Sequence, residues 1–186
     1  MIPRYQRLLT PEVDLPASGR DMPVIGYRTW QLRVTAGNVE LGGLHNWGRW
    51  DPGVTRASCR RTPPWMVGLH RVPNPACACG LYALTTLDEP ARRARLSATS
   101  LFAVPGSSAM VAGAVVGWGR VIQHGLQGWR AEYGRPIGLL DTGHPLLEVV
   151  ARRYNVPLLS HRGLQLTAHE HGESLTPGGT GGGSPR

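Results

Sequence analysis

Met110–His124, MVAGAVVGWGRVIQH, and Trp129–Leu140, WRAEYGRPIGLL, decide how this chain folds. Small and β-branched apolar residues dominate the first segment, and no helical period runs through it. That pattern reads as a strand. Gly125-Leu126-Gln127-Gly128 supplies a turn, so the two segments predict a long, bent antiparallel hairpin. Gly113, Gly117 and Gly119 recur where a strand would bulge or coil, as in a small barrel.

Working outward, Gly26–Val34 alternates: Tyr27, Thr29, Gln31 and Arg33 face one way, and Arg28, Trp30, Leu32 and Val34 the other. Ala36-Gly37-Asn38 turns it, and Val39–Leu44 returns as a second hairpin strand. His45–Asp51, HNWGRWD, is a Trp-rich loop, Val54–Cys59 reads as a short strand, and Gly80–Leu84 is an apolar segment expected to be buried beside the cysteines. Thr86–Leu96 reads as a helix, with acids at its start and arginines near its end, the order a helix dipole favours. Pro145–Tyr154 reads as a short amphipathic helix through Leu146, Val149, Val150 and Tyr154. Asn155 ends it, and Val156–Leu159 is expected as a last edge strand. The fold class is therefore α+β: a bent antiparallel sheet or small open β-barrel, two short helices and a zinc-stapled loop. Residues 1–23 read as an extended arm, 24–160 as one domain, and 161–186 as a flexible Gly/Pro-rich tail.

That stapled loop is CRRTPPWMVGLHRVPNPACACG, residues 59–80, which holds every cysteine of the chain. Its Pro, Gly and Arg residues give it little regular structure, so something must hold it. Cys59, His70, Cys77 and Cys79 supply three thiolates and one imidazole, the donor types of a tetrahedral zinc. Four protein ligands leave no open position, so such a zinc is structural rather than catalytic. Two other readings stay open here. The cysteines could be small core residues, or Cys77 and Cys79 could form a strained redox-active disulfide.

Charge and composition narrow the function classes. The net charge is +8, and all 20 basic residues are Arg, which pairs bidentately with phosphates and carboxylates. No apolar run is long enough for a transmembrane helix, and the N-terminal stretch lacks a signal-peptide core. Three cysteines, an odd number, make no disulfide framework, so a reducing, cytoplasmic setting is expected.

Several segments carry a resemblance: GYRTWQL, HRVPNPACACGLYAL, GWGRVIQHGLQGWRAEYGRP and ARRYNVPLL. In this order they resemble a family of uncharacterised proteins from actinobacteria and their phages. Members of that family share C-x-C-G-[IL]-Y-A and W-G-x-V-x-x-H…R-A-E-Y segments. The resemblance spans roughly residues 25–160 and implies domain limits and a cytosolic setting, but no activity. Asn155 stands where the family has Gly, and Asn also tolerates a left-handed backbone.

Two further constellations attract attention. Seven arginines and two acids lie between Arg56 and Arg95, near Trp47, Trp50 and Trp65. Arginines with exposed aromatics grip single-stranded nucleic acid through phosphates and stacked bases. Arg60, Arg61, Arg92, Arg93, Trp47 and Trp50 are the candidates, and the alternative is that the tryptophans fill the core. His124, Arg130 and Glu132 flank the turn of the long hairpin and could serve acid–base chemistry or simply pair across strands. The favoured function is a zinc-stabilised module that binds nucleic acid. The runner-up is a protein–protein adaptor or regulator encoded by a phage or mobile element. An enzyme using His124 and Glu132 comes third.

Overall fold

A computed structural model describes residues 23–35, 37–44, 48–59, 70–98, 109–124 and 127–175, without the His124 side chain. In chain order the elements are β1 (Val24–Thr35), β2 (Asn38–Gly42), β3 (Thr55–Arg56), β4 (Leu81–Leu84), α1 (Asp88–Ala98), β5 (Met110–His124), β6 (Gly128–Leu140), α2 (Leu147–Tyr154), β7 (Leu158–Leu159), α3 (His161–His169) and β8 (Glu173–Ser174). The N-terminal arm falls outside the described residues.

The long hairpin forms as its sequence predicts. β5 pairs with β6 from Gly113↔Leu139 to His124↔Gly128, with irregularities at Ala114/Val115 and Trp118/Val121. Gly119 sits in the second of these at φ +73°, and a Cβ there would press on the Tyr133 ring. A Cβ at Gly117 would collide with the Trp129 ring, so this glycine exists for close approach. These features let the hairpin curl.

β1 runs antiparallel to β5 from Val24↔Gly117 to Gln31↔Met110, and its other end pairs with β2. β4 pairs with β6 and meets β1 only at Tyr27↔Leu84. The strands β1–β5–β6–β4 thus make a ring that one residue pair closes. It is ring-like but not a barrel. The sheet is also mixed rather than wholly antiparallel, because β7 runs parallel to β6 and β8 parallel to β1.

Both faces of the sheet are covered, which explains its apolar strands. Along β5, Val111 and Val115 pack with Trp30, Trp129 and Leu139 on one side. Ala112, Ala114 and Val116 pack with Leu87, Ala91 and Leu164 on the other. α2 covers the first side with Leu147, Val150, Ala151 and Tyr154. Val149, expected on its buried face, is 43% exposed instead. Asn155 closes α2 at φ 50°, ψ 50°, the left-handed geometry its side chain tolerates. The Tyr154 hydroxyl accepts from Leu41 N (3.0 Å) and donates to Trp50 O (2.6 Å), tying α2 to β2 and the Trp-rich loop.

The folded chain continues beyond residue 160, where a flexible tail is expected from the sequence. The Ser160 side chain caps α3 by accepting from Gly163 N, and Leu164 and Ala168 are buried. β8 then joins β1 through Glu173 N to Pro23 O. The chain therefore has three helices among its described residues, not two. No described helix is long and apolar enough to cross a membrane.

Candidate metal centre

β6 organises the site. β5 occupies one edge of β6 along its length, so β3, β4 and β7 share the other. There β3 and β4 run in the same direction, one after the other. Ala57 N donates to Glu132 O, and Leu81 pairs with the next residue, Ala131. The chain thus leaves a single strand line after Ala57 and re-enters it at Leu81, with the two ends side by side. Cys59 lies just after the exit, and Cys77 and Cys79 just before the re-entry. His70 returns from the middle of the loop.

The four side chains meet at this neck. Their ligand atoms all lie within 4.8 Å of one another. Cys59 Sγ and Cys77 Sγ are 3.6 Å apart, and His70 Nε2 and Cys79 Sγ 3.4 Å. All three cysteines are free thiols, so the Cys77–Cys79 disulfide is not formed. Cys59 and Cys77 are partly exposed and only Cys79 is buried, which does not suit three core-filling residues. Burial raises the Cys79 pKa, the Asn74 backbone opposes this, and the Cys77 and Cys59 sulfurs raise it further. A cation shared among the sulfurs removes that penalty on the charged form. These four residues could hold a metal ion.

Local structure aims the ligands. Asn74 Oδ1 accepts from Ala76 N (2.9 Å) and Asn74 O from Cys77 N (3.1 Å), which folds the chain tightly before the cysteines. Gly80, at φ +124°, then turns the chain into β4. Tyr82 Oη donates to Ala78 O (2.8 Å).

Arg130 is the functional residue whose role the sequence does not disclose. Its guanidinium is buried, and Nη1 donates to both Cys77 O and Cys79 O (2.9 Å for the latter). It also lies 5.6 Å from the Tyr82 ring centroid. One cation therefore fixes the backbone on both sides of Ala78. Arg130→Gln keeps Trp129 and Ala131 in the core but releases these carbonyls. Supporting groups of this kind are worth about 10–100-fold in metal affinity. A competitive chelator titration should show a loss of that size, and an unchanged affinity would refute this role.

The other candidate residues are not drawn together. Glu132 pairs with Arg56 at 3.5 Å, while Arg130 is committed to the Cys77 and Cys79 carbonyls. Arg130 and Glu132 are thus engaged with separate partners, and the His124 side chain lies outside the described residues. Trp50 is 2% exposed and meets Trp30 edge-on at 5.4 Å, so it is core filler and offers no face for base stacking. Arg92 and Arg93 are exposed on α1 and both bind Glu89. Trp47, Trp65, Arg60 and Arg61 lie outside the described residues. Compared with protein-family profiles, curated proteins and solved structures, the chain matches none.

Proposed function

We propose that the protein is a small zinc-stabilised binding module. The observation that carries this is the spacing of the ligand atoms. Zinc bonds of about 2.3 Å to sulfur and about 2.0–2.1 Å to nitrogen define a tetrahedron. Its edges are about 3.8 Å between sulfurs and about 3.5 Å between sulfur and nitrogen. The Cys59–Cys77 and Cys79–His70 separations, 3.6 and 3.4 Å, match those edges before any ion is added. Three thiolates and an imidazole favour zinc over calcium, magnesium or manganese. The coordination is closed, so the metal joins the ends of the 58–80 loop and activates no water. Free thiols fit a reducing compartment, and we assign the protein to the cytoplasm.

Its partner is anionic, and nucleic acid is the first class, because the net charge of +8 is carried wholly by arginine. Arg92 and Arg93 on α1, together with Arg60 and Arg61, supply the phosphate contacts. Anisotropy of labelled single-stranded DNA and RNA tests this. A footprint of about three phosphates gives a log–log salt slope of about −2, or about a 20-fold loss of affinity from 50 to 200 mM salt. Arg92→Gln with Arg93→Gln should flatten the slope. Absence of binding at low salt overturns the nucleic-acid reading. A co-purifying protein whose association ignores salt would put an adaptor in its place.

A further inference from the structure

A pocket of about 380 Å³ opens beside the metal centre, between the loop neck and the Trp-rich loop. Arg28, Arg49, Trp50, Arg56, Ser58 and Cys59 contribute to its wall. Its size falls in the range of small-molecule sites. Two of its three arginines have carboxylate partners: Arg49 pairs with Glu40 at 3.2 Å, a carboxylate that Arg153 also contacts at 3.1 Å, and Arg56 pairs with Glu132 at 3.5 Å.

Arg28 is different. It projects from β1 with its guanidinium carbon 5.0 Å from the Trp50 ring centroid. Nη1 donates to Tyr82 O (2.5 Å), while the buried Nε has no partner. No carboxylate pairs with it among the described residues. Burial lowers its pKa to about 10, which still leaves it a cation at neutral pH. A ring face and one carbonyl hold a cation in place, but neither carries a compensating charge.

The metal centre does not remove the excess. A divalent ion with three thiolates carries one negative charge, and Arg130 lies against the carbonyls of two of those ligands. Arg28 therefore remains a guanidinium with no carboxylate partner among the described residues, at the wall of a pocket large enough for a ligand. The Ser58 hydroxyl, without a partner among the described residues, adds a donor at the same wall.

We propose that this pocket binds a small oxyanion, the carboxylate or phosphate group of a small-molecule ligand, with Arg28 as its charge partner. The guanidinium fork suits two-oxygen recognition of either group. This goes beyond the nucleic-acid reading, since it uses neither α1 nor an oligonucleotide.

The test is calorimetric titration of the metal-loaded protein with inorganic phosphate and, separately, with acetate, at ionic strength held constant with sodium chloride. One or both should bind at one site per chain, with a dissociation constant below about 10 mM. The arm that binds identifies the group. Arg28→Gln should weaken binding at least about tenfold. Arg152→Gln, at an exposed position of α2, should leave it unchanged. A measurement on the unaltered protein guards against misfolding of the variant: phenylglyoxal modification of Arg28, followed by peptide mass spectrometry. Anion at three times its dissociation constant should slow that modification about fourfold. Binding of neither anion, equal binding by Arg28→Gln, or an unchanged modification rate at Arg28 overturns the proposal.

Discussion

Replacing Cys79 with Ser is expected to release the metal and lower the melting temperature by about 8–16 °C. Ala57 and Leu81 bond to neighbouring residues of β6, and Cys59, Cys77 and Cys79 lie next to these two ends. A metal bound only by the folded neck adds about 4 kcal/mol when free metal stands at about 1,000 times its dissociation constant. For a chain of this length each kcal/mol is worth about 2–4 °C. Cys59→Ser, His70→Ala and Cys77→Ser should give drops of the same size, because each breaks the same coordination sphere. A chelator should reproduce the drop in the unaltered protein and add nothing in the variants. Core-filling thiols predict another pattern. Cys79, 7% exposed, would then be costly, while the partly exposed Cys59 and Cys77 would be nearly neutral, within about 0.5 kcal/mol. Thermal melts of the four variants with and without chelator separate the two.

Trp129→Ala is expected to cost about 3–5 kcal/mol, as large a loss as any core truncation in this chain. Trp129 is fully buried in β6, opposite Ala83 of β4 and Gln123 of β5. Its Nε1 donates to Ile25 O (2.8 Å), on β1. One side chain therefore joins all four strands of the ring, and Gly26 and Gly117 make room for it. Trp129→Phe keeps most of the apolar surface and loses the donor, leaving Ile25 O unmet at about 1–3 kcal/mol. Urea denaturation of both variants checks the ordering. A loss below about 1 kcal/mol for the alanine variant would mean the ring is held elsewhere.

What could be read from the sequence follows from how local each signal is. The β5–β6 hairpin was legible because its residues are close in the chain and mostly apolar or glycine. The four candidate metal ligands were legible because Cys is scarce and gathered in one segment. Ring closure through Tyr27↔Leu84 was not, since one long-range pair leaves no local pattern. α3 was missed because it buries only Leu164 and Ala168, too little for a visible helical stripe, while Leu166 on the same helix is 59% exposed. Arg130 looked like part of a hairpin polar cluster. Its partners are carbonyls more than 50 residues away, and no spacing rule reaches them. Trp50 looked like a stacking residue because it sits beside arginines, but the chain has six Trp and one Phe, and Trp has to build the core.

The central claim is a structural zinc at Cys59, His70, Cys77 and Cys79. Zinc-edge X-ray absorption on protein purified without added metal, with metal content measured on the same sample, tests it most directly. One zinc per chain, with three sulfurs at about 2.3 Å and one nitrogen at about 2.0–2.1 Å, is the predicted result. Protein that carries no zinc and takes up none, or a zinc shell containing water oxygen, would contradict it.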